Sequence, residues 1–142
     1  MKLEIFTQGF NDIIDLTEQV QAIVEKEGLQ DGLVVVFVPH QTCAVSVLEN
    51  ESGLQKDLKK ALDKLLPQDK EYEHNKKWGD GNGHAHLRAS FLKPDLTIPV
   101  EEGDLILGTW QQIILIDFDN RPRTRQVIIK TLKNYDKKTL SK

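Results

Sequence analysis

Residues 2–7 alternate polar and apolar side chains, with Leu3 and Ile5 on one face, as a half-buried strand does. Gly9, Asn11 and Asp12 supply turn chemistry, and Ile13 and Ile14 open a short second strand. The period then lengthens. Leu16, Val20, Ile23 and Val24 recur at helical spacing, with Glu18, Gln19 and Glu25 outward. Asp15 or Thr17 is placed to cap this helix and Gly28 to end it. Residues 33–38 are short, β-branched and continuously apolar, which predicts a central strand covered on both faces and terminated by Pro39. A two-residue period returns over 42–48. From Ser52 to Leu66, the residues Leu54, Leu58, Ala61, Leu62, Leu65 and Leu66 form the clearest amphipathic stripe, which Pro67 stops.

Residues 67–83 are polar and contain Gly79, Gly81 and Gly83, predicting an irregular loop. Loops of that length inside a compact domain are uncommon and often functional. Strands resume at 96–100, 105–108, 112–118 and 125–131, with Asp119-Asn120-Arg121-Pro122 as turn chemistry between the last two. No repeat or linker interrupts the pattern. The expectation is one α+β domain over residues 1–142, with two main helices against a larger, mostly antiparallel sheet.

Composition narrows the class. Apolar (39%) and charged (29%) shares are those of a globular chain able to fold without disulfides. A net charge of −3, with basic and acidic residues interleaved, gives no electrostatic case for a nucleic-acid partner. Cys43 stands alone, which excludes an internal disulfide and a four-thiolate metal site and fits a reducing compartment. No run approaches the roughly 20 apolar residues of a membrane span, and the first residues lack a signal-peptide core. A cytoplasmic chain without a membrane partner is expected.

Candidate chemistry gathers around the four histidines, all between positions 40 and 86. His40 follows an apolar strand and a proline, where a buried sheet opens to solvent. His84 and His86 form a His-x-His pair: on a strand they share a face and suit one metal, on a helix they diverge by roughly 200°. His74 sits in the long loop, free to fold over either. Three imidazoles suit zinc with an open position. Glu49 can orient a histidine, accept a proton or simply favour the helix that follows, which Ser52 can cap. Asp57 lies one position off the apolar stripe, as a solvated helix residue would. Trp110-Gln111-Gln112 follows Gly108 at a strand junction that suits a bulge. Arg121, Arg123 and Arg125 have strand spacing, as a phosphate clamp or as a charged edge strand would. Cys43, beside Ala44 and Val45, reads as a buried thiol rather than a nucleophile.

Together these motifs resemble one family. His40-Gln41-Thr42-Cys43-Ala44 leading to Glu49-Asn50 is similar to a signature of His-Thr-Thr/Ser-Ala followed by Asn/Ile-Glu-Asn. Asp57, Leu66-Pro67, Tyr72-Glu73-His74 and residues 82–90 (NGHAHLRAS) follow in order, then Gly108-Thr109-Trp110-Gln111-Gln112-Ile113 and Arg123-Thr124-Arg125. The chain thus resembles the YjbQ-like proteins, also called the secondary thiamine-phosphate synthase family. Gln41 and His84 depart from the pattern. The resemblance implies a sandwich-like fold, a homotrimer, and a pocket at a subunit boundary holding His40, His74 and His86 with Glu49 nearby.

It further implies a metal-dependent small-molecule enzyme with weak thiamine-phosphate synthase activity. That reaction joins a pyrimidine pyrophosphate to a thiazole phosphate and needs a divalent ion and phosphate clamps. Arg123 and Arg125, with Lys56 or Arg88, would supply the clamps, since no glycine-rich phosphate loop is present. In this reading His40, His74 and His86 hold zinc, or magnesium with a phosphoryl substrate. Glu49, His40 and Gln111 are catalytic; Trp110, Asn50, Arg123 and Arg125 contact substrate. Two alternatives stay open: a metal-free binder of an anionic or phosphorylated metabolite, and a trimeric structural or interaction module.

Overall fold

The alternating segments assemble into two antiparallel sheets in a computed structural model that describes residues 1–134; residues 135–142 of the expected domain lie outside the described part. The N-terminal half runs β1 (Lys2–Thr7), β2 (Asp12–Asp15), α1 (Thr17–Lys26), β3 (Asp31–Phe37), β4 (Cys43–Leu48) and α2 (Ser52–Leu65). The remainder runs α3 (Glu73–Trp78), α4 (Gly83–Leu92), β5 (Asp95–Glu101), β6 (Asp104–Leu105), β7 (Gln112–Asp117) and β8 (Arg123–Lys133). The larger sheet has the order β1-β8-β3-β5-β6 and the smaller β2-β7-β4. The fold is the expected α+β sandwich with antiparallel pairing.

One core fills the space between the sheets and under α1, joining Val34, Val36, Val45, Ile113, Leu115, Val127 and Ile129 to Leu16, Val20, Ile23 and Val24. A second lies on the opposite face of the smaller sheet, where Ala44, Ile114, Ile116 and Phe118 meet Leu62, Ala85 and Ala89 of the helices. The strands of the smaller sheet therefore bury both faces, which explains the unbroken apolar run of β7. The same reasoning fails for β3. Its burial alternates, with Val34 and Val36 inside while Leu33 and Phe37 stand 39% and 37% exposed, so only one face is covered.

Several boundaries differ from the periodicity. The 67–83 segment holds α3, and His84 and His86 lie on α4 rather than on a strand. Polar helical faces there left little amphipathic signal to read. The expected 105–108 strand is reduced to a two-residue pairing, Val100↔Leu105 and Glu101↔Asp104. Glu51, not Ser52, caps α2: its carboxylate accepts from the backbone N–H groups of Gly53 (2.7 Å) and Leu54. β8 is a central strand between β1 and β3, so its arginines do not guard an edge.

Arg88 ties the helices to the smaller sheet's rim. Only 2% exposed, it donates to the Leu66 carbonyl beyond α2 (2.6 Å), to Asn11 in the β1–β2 turn (2.7 Å) and to Asp63 (2.9 Å). Its guanidinium is thus consumed internally and cannot clamp a substrate phosphate, and Lys56 is a solvent-exposed residue of α2. Among the described residues no helix is long and apolar enough to cross a membrane. Replacing Arg88 by Ala is expected to cost about 2–3 kcal/mol in urea unfolding, because a buried carbonyl and amide lose a charged donor. Asp63→Ala, which removes an exposed partner, should cost under about 1 kcal/mol.

Candidate metal centre

The smaller sheet ends in acids. Asp117 closes β7 and Asp119 follows two residues later, both fully buried at 0% and 1% exposure. Buried carboxylates demand cations and donors, and β8 brings them. Arg125 donates through Nε to Asp117 Oδ2 (2.6 Å) and through Nη2 to Asp117 Oδ1 (2.8 Å) and Asp119 Oδ2 (3.2 Å). The same Nη2 also reaches Thr42 Oγ1 (2.7 Å), whose hydroxyl donates to Asp119 Oδ2 (2.9 Å). Thr7 donates to Asp117 at 2.5 Å, and Arg123 Nε to Asp119 at 3.0 Å. Gly9, at φ +73°, makes room beside this network: a Cβ there would lie 2.5 Å from the Asp119 carbonyl oxygen.

The network carries the loop before α4. Asn82 Nδ2 donates to Asp119 Oδ1 (3.2 Å), and Asn82 Oδ1 accepts from the Asn120 N–H (3.0 Å). Asn120 Nδ2 in turn donates to the Asp80 carbonyl (2.8 Å), and the Asn82 N–H donates to Asp80 Oδ1 (3.1 Å). Asp80 is thereby fixed between two left-handed glycines, Gly79 and Gly81, each at φ +66°. Gly83 lets α3 approach: a Cβ there would lie 2.6 Å from Tyr72, and its N–H donates to Asn75 of α3 (2.8 Å).

That approach brings two histidines together. The rings of His74 on α3 and His86 on α4 lie 4.1 Å apart, and His74 Nε2 is 3.3 Å from Asp80 Oδ2. One ligand atom from each of His74, Asp80 and His86 falls within 4.8 Å of the others. Among the described residues this is the one such group of His, Cys, Asp or Glu. The set fits a divalent ion: tetrahedral bonds of about 2.0–2.1 Å imply donor separations near 3.3 Å, which one edge already has. Burial, and then His74, holds His86 below its ordinary value, keeping the imidazole neutral as a ligand must be. Burial alone would raise the Asp80 carboxyl, but the Asn82 N–H and His74 outweigh it and hold it low.

The other expected site residues lie elsewhere. His40 is outside the three-ligand group. β3 stops pairing with β8 at Phe37↔Ile128, so the N–H of Gln126 loses a strand partner, and His40 Nε2 accepts it at 3.0 Å. That bond places the proton of a neutral His40 on Nδ1. His84 points inward from α4, 2% exposed, with Nδ1 unpartnered, so the His-x-His pair splits as helical geometry requires. Arg125 is locked in the acid network. Cys43 is buried, which pushes its thiol up to about 12 and leaves it inert.

Glu49, Asn50, Trp110 and Gln111 gather at the opposite end of β4 and β7. Six residues of β4 at about 3.3 Å each put Glu49 roughly 20 Å from the histidine end. Glu49 is exposed and Trp110 is 70% exposed. Asn50 is engaged with Gln112, Asp15 and Gln55, while Gln111 accepts from the Gly108 N–H. Asp57 is an exposed helix residue.

The family described as UPF0047 protein YjbQ-like matches residues 1–134. The chain belongs to this family. A UPF0047 protein of Archaeoglobus fulgidus is 45% identical over 132 residues, covering 93% of this chain and all of that one. UPF0047 protein YugU of Bacillus subtilis is 34% identical, covering 92% of this chain and 96% of its own length. A crystal structure of a YbjQ-like protein of unknown function from Sulfolobus solfataricus P2 superposes with a TM-score of 0.86 at 34% identity, covering 94% and 97% of the two chains.

Sequence reasoning missed Asp80, Asn82, Thr42, Asp117 and Asp119 in this YjbQ-like chain. A signal existed for Asp80: it lies six residues from both His74 and His86 and between two glycines. Asp-Phe-Asp after an unbroken apolar run was the sign of buried acids.

Two outcomes follow for this region. Arg125→Met leaves two buried carboxylates short of their cation and is expected to cost about 3–5 kcal/mol in urea unfolding. His40 has a second, pH-dependent signature: burial and then Arg125 lower its value from 6.5. Protonation is therefore easier in the unfolded chain, so its stabilisation is complete above pH 6.5 and declines as pH falls through the lowered value. In His40→Gln, whose amide oxygen can still accept from Gln126, unfolding midpoints between pH 8 and 5 should fall less than in the parent.

Proposed function

We propose that this chain is a metal-dependent enzyme acting on an anionic small molecule, with the metal held by His74, Asp80 and His86. The observation that carries the reading is the convergence of two imidazoles and a carboxylate from α3, α4 and the loop between them, a loop braced by the buried acid–arginine network. Two nitrogen ligands favour zinc over magnesium, whose preferred ligands are oxygens. When bound, such an ion supplies a Lewis acid and an open position for water or substrate.

The chain's own groups do the rest. Asn82 and Asn120 hold Asp80 in place; Arg123 faces the neighbouring pocket beside Asp80 and orients the anion. His40, neutral with its proton on Nδ1, serves as a hydrogen-bond donor at the arginine side of the site rather than as a third imidazole ligand. A weak thiamine-phosphate synthase reaction suits this arrangement as a side activity, since a pyrophosphate leaving group needs both a cation and arginine donors.

Glu49, Asn50, Trp110 and Gln111 can share a substrate with the histidines only across a boundary between two copies, given the length of β4 between them. A homotrimer is the assembly we propose. Exposed apolar side chains among the polar ones on the outer face of the larger sheet, with Phe6 at 61%, Leu33 at 39%, Phe37 at 37% and Leu132 at 50% exposure, support association of copies.

Metal analysis of untagged protein should find one divalent ion per chain, and zinc titration of stripped protein should saturate at the same ratio. His74→Ala, Asp80→Ala and His86→Ala should each weaken zinc binding by at least about 100-fold, while His40→Ala leaves it unchanged. No zinc uptake by the intact, folded protein would sink the metal reading.

A further inference from the structure

Beside Asp80 lies a small pocket of about 240 Å³, lined by Asp80, Asn82, Asn120, Arg121 and Arg123. Pockets that enclose a whole small molecule run to roughly 300–1,000 Å³, so this one takes a group rather than a metabolite. Its cations are available. Arg121 is exposed and makes no hydrogen bond or ion pair among the described residues; Arg123 spends Nε on Asp119, leaving its terminal nitrogens without a partner there. Asn120 and Asn82 are already committed to the loop and act as walls.

Asp80 lines the same pocket, and its negative charge repels any anion drawn by the arginines. The same carboxylate belongs to the three-residue group with His74 and His86. A divalent cation there changes the charge at Asp80 from one negative to one positive. The geometry points to a phosphoryl subsite at Arg121 and Arg123 that is thermodynamically coupled to cation binding at His74, Asp80 and His86. This rests on the metal reading above and adds to it a substrate class: compounds ending in a phosphate monoester. A tetrahedral oxyanion offers an oxygen to the cation and one to each guanidinium, whereas a planar carboxylate has only two for the three. Arg121, which neither ligates the cation nor supports the buried acids, is the residue that sets anion affinity.

Linkage makes the coupling reciprocal: if the cation tightens phosphate, phosphate tightens the cation by the same factor. Calorimetric titration of the full chain with methyl phosphate, first stripped of metal and then loaded with one equivalent of zinc, tests this. Loading is expected to raise methyl phosphate affinity about tenfold or more, and saturating methyl phosphate to raise zinc affinity by that same factor. Arg121→Ala should lose about tenfold in methyl phosphate affinity in the loaded protein, Arg121→Lys should recover part of it, and both should bind zinc alone as the parent does. Acetate should bind more weakly than methyl phosphate in every case. Equal methyl phosphate affinity with and without zinc, or an Arg121→Ala protein indistinguishable from the parent, overturns the subsite while leaving the metal reading standing. Failure of zinc to bind at all overturns both.

Discussion

Arg125 between Asp117 and Asp119 is the interaction on which the rest of the molecule depends. Two fully buried carboxylates cannot stay ionised without a cation and a full set of donors. Arg125 supplies three of the bonds from β8, Thr7 adds one from β1, Thr42 adds one just before β4, and Arg123 adds another. These partners come from both sheets. The network therefore fixes how the ends of the sheets meet, which apolar contacts between Val, Ile and Leu side chains leave loosely specified. Burial alone would raise the Asp119 carboxyl, but Thr42, Arg123 and Asn82 together hold it below the ordinary range.

From that anchor the candidate site is built outward in two steps. Asp119 holds Asn82, and Asn82 with Asn120 holds the backbone and carboxylate of Asp80. Because Asn82 also precedes the first turn of α4, the same bonds set the position of His86, while the tight contact at Gly83 sets the distance to α3 and His74. A ligand group assembled on short helices and a loop is precise only if something rigid supports it. Here that support is electrostatic and buried, and it reaches Asp80 through Asn82 and Asn120.

Much of the fold was legible because burial on one face leaves a period. β1, α1 and the stripe of α2 follow from spacing alone, and the mixed helix-and-sheet class follows from their order. Continuous apolar runs were ambiguous. Residues 33–38 and 113–116 look alike in sequence, yet β7 is covered on both faces and β3 on one. An outer strand face can carry large apolar side chains, as Leu33 and Phe37 do, without being covered within the chain. α3 and α4 escaped for the opposite reason: α4 buries His84 and Arg88 beside Ala85 and Ala89, so its inner face is not apolar and leaves no stripe. The histidines were found by residue type, but their grouping was not, because His-x-His separates on a helix and the third member of the group is a carboxylate in a glycine turn.

The two ends of β4 and β7 raise a question that their lengths answer. One end carries His74, Asp80 and His86 over the buried acids; the other carries the exposed Trp110 beside Glu49 and Asn50. A strand of six residues is rigid and roughly 20 Å long, so no motion short of unfolding closes that gap inside one chain. Asn50 is held at both amide atoms by Asp15 and Gln55, and Gln111 Oε1 accepts from the Gly108 N–H, so both also brace their own corner. Exposed at that end are the large face of Trp110 and the carboxylate of Glu49. An indole 70% exposed gains most by covering an apolar face elsewhere. If that face belongs to a second copy, the contact between the two different corners is head-to-tail, which closes into a ring only where the rotation between copies allows it. The separation of the corners thus ties any shared role for them to the proposed assembly of copies.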